Sequence, residues 1–200
     1  MNKFLIGLVL SLTASTLVYA AGDAAAGKDK SLACGACHGA DGNSAVANFP
    51  KIAGQNVKYL LNQMTAIQSG KRSVPEMAGQ LDGKNEQDLE DIAAFFASKK
   101  PIGGKTAADQ LELGQKIYRS GIPAKNVAAC TACHGAKGQG VDGAGFPALS
   151  GQHSAYTEKQ LKSFRVMERS NDPNEMMRDI AARLSDVEIK AVASYIQGLY

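Results

Sequence analysis

Cys34-Gly35-Ala36-Cys37-His38 recurs as Cys130-Thr131-Ala132-Cys133-His134, and the two stretches use all four cysteines of the chain. Cys-x-x-Cys-His is the attachment pattern of c-type haem. Two thiols three residues apart lie on one side of a helical turn, within reach of the two vinyl groups of one porphyrin. The histidine then falls beneath the iron as its proximal ligand. A disulfide or thioredoxin-like redox pair also uses Cys-x-x-Cys but leaves both histidines unexplained. A four-cysteine zinc site spaces its knuckles by about 15–20 residues, and the gap here is far longer. Cys34, Cys37, Cys130 and Cys133 are therefore expected to carry two covalently bound haem c groups, with His38 and His134 on the irons.

Working outward, the chain repeats itself. Phe49-Pro50 matches Phe146-Pro147, Ala53-Gly54-Gln55 matches Ser150-Gly151-Gln152, and Tyr59 matches Tyr156, all 97 positions apart. Near the end of each half the shift becomes 100: Leu89, Ile92, Ala93 and Phe96 answer Ile189, Val192, Ala193 and Ile196. Both sets follow the i, i+3, i+4, i+7 spacing of an amphipathic helix. The organisation read from this is a leader over 1–20, a first domain over 21–100, a linker over 101–104 and a second domain over 105–200. Lys3, the apolar run Phe4–Leu17 and Val18-Tyr19-Ala20 have the order of a cleavable export signal. With only 6% aromatic residues and no tryptophan, each half has a thin core, and domains of that size need a staple. A large apolar haem meets that need.

Each half reads as helical with Gly-rich loops. The first helix of the first half is expected from Asp23 into the haem motif, and its counterpart from Thr106, where Thr106-Ala107-Ala108-Asp109 has the form of a capping box. Middle helices are expected over 57–69 and 154–168. Last helices start at Asn85 and at the capping box Ser185-Asp186-Val187-Glu188. The formal net charge of +3 is too small to argue for nucleic acid. Lys159, Lys162, Arg165 and Arg169 recur at helical spacing, which suits a solvated helix face or a docking patch for an acidic redox partner.

The sixth iron ligand must come from elsewhere. Thioether sulfur is common in electron-carrying haems. Met64 and Met167 fall in the expected middle helices, where methionine is usually core filler. Met77 lies between the middle and last helices, and the 100-residue shift carries it onto Met177. Met77 and Met177 are the choice, with Met176 the alternative in the second half. His153 aligns with Asn56 at the start of a middle helix and reads as a cap or surface residue. Pro50 and Pro147 stand where a carbonyl could accept the second N–H of each haem histidine, although a plain turn proline reads equally well.

Together these marks make the chain resemble the dihaem cytochrome c4 family, two class I cytochrome c domains in tandem, over essentially all of the expected mature chain. The resemblance implies an all-α fold in which each domain wraps one covalent haem, with haem propionates facing one another across the interface. It also implies that Pro50 and Pro147 accept the imidazole hydrogen bonds. Gly27 and Gly114 would be the helix glycines that let Phe95 and Tyr195 approach. The expected role is a periplasmic electron carrier, not an enzyme. It would run between a quinol-oxidising donor and a terminal oxidase, with a peripheral association with the membrane compatible with that role. The rival readings are a dihaem subunit of a flavocytochrome dehydrogenase and a dihaem peroxidase.

Overall fold

Helix ends are dictated locally, and the expected caps at the two last helices form. In the computed structural model, which describes residues 22–200, Asn85 accepts the N–H of Asp88 while Asp88 accepts that of Asn85, and α4 runs Glu86–Ala97 from this box. Ser185 and Glu188 make the same reciprocal pair at the head of the last helix, Asp186–Gln197. The expected export signal, 1–20, lies outside the described residues.

The first half contains α1 (Ala24–Lys30), the short turn α2 (Gly35–His38), α3 (Val57–Gln68) and α4. The second contains α5 (Leu111–Ser120), the turn α6 (Thr131–His134), α7 (Ser154–Arg165), α8 (Met176–Ala182) and α9 (Asp186–Gln197). Among the described residues there is no sheet, only the isolated bridges Ile122–Val127 and Val141–Phe146. The fold is all-α, as expected. Between α5 and α6 the chain folds into a small hairpin, bridged at Ile122–Val127 around the turn Pro123–Lys125. None of the helices described is long and apolar enough to cross a membrane.

Within each half the first helix packs across the last, α1 on α4 and α5 on α9. Glycine makes these crossings close. A Cβ at Gly27 would overlap the Asp91 carbonyl and lie 2.9 Å from the Phe95 Cβ, and one at Gly114 would lie 2.7 Å from the Tyr195 Cβ. The glycines singled out by resemblance thus have a steric reason. The first core is small: Leu60, Ile92, Ala93, Phe95 and Phe96 are buried, with Cys34, Ile52, Val57 and Met64 packed around them. The second core is larger and includes Ile117, Tyr118, Ile189, Val192 and Ile196, with Cys130 and Met177 at its edge.

Four expectations need correction. The capping box at Thr106 does not form; α5 begins at Leu111 after a 3-10 turn without a side-chain cap. Thr106 Oγ and the Ala107 N–H are engaged instead with Tyr195 O and Ser194 Oγ of α9. The first helix does not run into the haem motif, since the chain tightens into a 3-10 turn at Leu32–Cys34. The second middle helix stops at Arg165 because Met167 adopts a left-handed φ of 62°. Met167 is 71% exposed and is not core filler.

Candidate functional site

Each Cys-x-x-Cys-His motif folds as one helical turn. Cys34 and Cys130 have helical φ/ψ at the heads of α2 and α6, so both thiols and the histidine come from a single turn. The turns end at Gly39 and Gly135, whose φ of 81° and 79° demand glycine and send the chain back over the histidine. His38 Nδ1–H donates to Pro50 O at 2.9 Å, and His134 Nδ1–H donates to Pro147 O at 2.9 Å. This fixes the tautomer and leaves Nε2 as the free donor atom. Burial holds both histidines below their ordinary pKa, against the opposing effect of the proline carbonyls. Neutral imidazole is the state that binds a metal. Burial also raises the Cys34 thiol and pushes Cys130 up to about 11.

One continuous cavity of about 1870 Å³ joins the two motifs. Cys34, Cys37 and His38 line it in the first half, Cys130, Cys133 and His134 in the second. Its walls include Leu60, Ile92 and Phe96 on one side, and Ile117, Val192 and Ile196 on the other. Among the described residues no three His, Cys, Asp or Glu side chains converge on a metal-sized site. Paired thiols, a fixed neutral imidazole and an apolar chamber beside each motif are the donor set and shape that a covalent porphyrin requires.

The methionines sort themselves by position. Met77 ends a 3-10 turn, Pro75–Met77, and lines the cavity. Met176 and Met177 both line it at the head of α8, but Met176 is exposed whereas Met177 packs against the second core. Met64 packs on the first core, as expected, and also borders the cavity. Asp172 organises the second methionine loop. Its carboxylate accepts the N–H groups of Met177 (2.9 Å) and Arg178 (3.0 Å) and pairs with Arg178 Nε at 2.8 Å. The intervening Asn174 and Glu175 are both left-handed, with φ of 52° and 59°.

His153 is not on the cavity wall. It occupies the N-cap position of α7 without capping it, and its Nε2 meets Ser44 O of the first half at 2.8 Å. Its partner by repeat, Asn56, likewise reaches across to Phe146 O.

The wall between the halves was not anticipated. Arg72 NH2 donates to Tyr156 OH and Gln160 Oε1, and Arg169 NH2 donates to Tyr59 OH and Gln63 Oε1. Each arginine also binds the glutamine of its own half, Arg72 to Gln63 and Arg169 to Gln160. Both arginines are buried, which corrects the reading of Arg169 as part of a solvated or docking face. Lys159, Lys162 and Arg165 do pair at the surface, with Glu76, Glu158 and Asp186. Burial opposes ionisation of Tyr59, yet Arg169 and Arg72 bring its phenol below the ordinary value. The 97-residue shift already relates Tyr59 to Tyr156, Gln63 to Gln160 and Arg72 to Arg169. An arginine at the same place in both copies was the available signal.

The cytochrome c family model matches residues 20–100 and again 111–200. Cytochrome c4 of Pseudomonas aeruginosa is 51% identical over 201 residues, covering 100% of both chains. The chain belongs to the dihaem cytochrome c4 family. The crystal structure of reduced recombinant cytochrome c4 from Pseudomonas stutzeri matches with a TM-score of 0.88 at 49% identity, over 90% of this chain and 100% of that one. A protein of Stutzerimonas stutzeri described as a thiosulfate dehydrogenase electron acceptor is 39% identical, covering 82% of this chain and 77% of its own. The fold is accordingly two tandem cytochrome c domains, and the family's cofactors are two covalently bound haem c groups.

Proposed function

We propose that this chain is a periplasmic electron carrier in which Cys34 and Cys37 hold one haem and Cys130 and Cys133 the other. His38 and Met77 cap the first iron, and His134 and Met177 the second. The observation that carries the reading is the single cavity that has a carbonyl-fixed histidine in each half and Met77 and Met177 on its walls. When bound, haem supplies one-electron iron chemistry. The protein's share is to hold the ligands so that little rearranges between oxidation states, to keep water from the iron, and to set the potential through ligand choice and burial.

Arg72 and Arg169 are the residues that would hold the porphyrin carboxylates. A buried cation needs a counter-charge, and their hydrogen-bond partners among the described residues are tyrosine hydroxyls and side-chain amides, with no carboxylate. Their position between the halves suits carboxylates that face one another there. The domain division at 101–104 fits this picture: residues 98–107 carry no helix, and the Ile102 N–H is fastened to Asn43 Oδ1.

A role between a quinol-oxidising complex and a terminal oxidase is the reading that the family resemblance suggests. The relative described as a thiosulfate dehydrogenase electron acceptor favours a second reading, in which the donor is a dehydrogenase of the same compartment. A ferric visible spectrum tests the ligand set. The expected result is a far-red sulfur–iron band with intensity for two centres, about half of it lost in Met77→Ala and half in Met177→Ala. Loss on Met176→Ala, with Met177→Ala silent, would reassign the second ligand.

A further inference from the structure

We infer that Gln55 and Gln152 are crossed positioning residues, each tuning the haem histidine of the opposite domain through a single peptide group. This rests on the proposal that His38 and His134 bind iron. Gln152 Oε1 accepts the Lys51 N–H at 2.9 Å, and its Nε2 donates to Lys51 O at 2.8 Å. Gln55 does the same in reverse, accepting the Ala148 N–H at 2.7 Å and donating to Ala148 O at 2.9 Å. Lys51 N belongs to the same peptide unit as Pro50 O, the acceptor of His38 Nδ1–H. Ala148 N belongs to the same unit as Pro147 O, the acceptor of His134 Nδ1–H.

The chain of bonds is therefore His134 to the Pro147–Ala148 peptide to Gln55, and His38 to the Pro50–Lys51 peptide to Gln152. A peptide whose N–H is donated has a more polarised carbonyl, and hydrogen bonds in series strengthen one another. A stronger acceptor at Nδ1 raises the basicity of a metal-bound imidazole, which favours the ferric state and lowers the potential. The glutamines are well held for this task. They are 6% and 8% exposed, and each Oε1 also accepts the N–H of the next residue, Asn56 or His153, at 3.0 Å. Docking of the domains thus sets the proximal hydrogen bond of both centres, and a partner that shifts one domain against the other would change both potentials.

The test uses the holoprotein labelled with 15N-histidine. The chain has three histidines, and His134 is assigned through its neighbour Phe146, 6.5 Å away between ring centres. In Gln55→Met, His153 reports docking through its bond to Ser44 O; in Gln152→Met, which removes the acceptor of the His153 N–H itself, docking is reported by the unmoved His134 signal, whose proline peptide is held across the halves by Gln55. Gln55→Met is expected to move the His134 Nδ1–H signal upfield and raise the midpoint potential of that centre, leaving His38 and its centre unchanged. Gln152→Met is expected to do the converse. Undocking alone would give the same pattern from both variants, with His153 displaced, so identical patterns, uncrossed patterns or no change all overturn the inference. Failure of the underlying proposal is separate: in ferric wild type, both haem histidines must already carry the hyperfine shift of an iron-bound imidazole.

Discussion

Replacing Asp172 with alanine is expected to loosen the second methionine without unfolding its domain. Asp172 accepts the N–H groups of Met177 and Arg178 at the head of α8 and pairs with the Arg178 side chain. Loss of a helix-capping oxygen costs roughly 1 kcal/mol. The ion pair adds about 1 kcal/mol more, a modest value because the Arg178 side chain is 20% exposed. The turn it secures is strained, since Asn174 and Glu175 are left-handed without being glycine, at a cost on the order of 1 kcal/mol each. Removing about 2 kcal/mol of restraint therefore favours local opening by roughly thirtyfold. If displacement of the sulfur ligand is coupled to one deprotonation, the alkaline loss of the far-red band should move down by about 1.5 pH units for half the intensity. The assay is a pH titration of the ferric protein at that band. Glu175→Gly relieves the backbone and should shift the same half the other way, by up to about 1 kcal/mol. An unchanged titration in Asp172→Ala, or an effect on the Met77 half, would refute the reasoning.

Gly114→Ala should lower stability by about 1–3 kcal/mol in denaturant titration, because its Cβ meets Tyr195 and α5 must part from α9. Asp91, held at a pKa of about 2 by Lys30, the Asp23 N–H and Gln87, stabilises the fold fully above its unfolded value of ~3.9. That contribution is lost as pH falls toward about 2. Hydrogen exchange in α1 should accelerate over this window in wild type but show no such pH step in Asp91→Asn. Arg169→Gln removes a buried positive charge beside the expected porphyrin carboxylates, which disfavours the reduced state. Potentiometry should find at least one midpoint lowered and none raised.

What could be read from the chain was what depends on neighbours in sequence. The two haem turns need only five consecutive residues, and the boxes at Asn85 and Ser185 need four. The last-helix stripe Leu89, Ile92, Ala93 and Phe96 is buried where its spacing puts it. The misses lie where partners come from the other half. Thr106 has the letters of a cap, but its hydroxyl is taken by Tyr195 O. Arg169 continues a helical charge pattern, yet the chain has already left the helix at Val166, so the side chain turns inward to Tyr59 and Gln63. Gln55 and Gln152 were visible as repeated letters. Their bonding to the peptides behind Pro147 and Pro50 depends on how the halves dock, which no local pattern encodes.

In the proposed ligand set both irons are closed on both faces by protein side chains. Carbon monoxide added to the fully reduced, undenatured protein tests it most directly, since the gas binds only where a ligand position is vacant or readily vacated. With both positions filled, the spectrum should be unchanged at both centres. Ready binding at either one would contradict it and point to catalysis at an open iron.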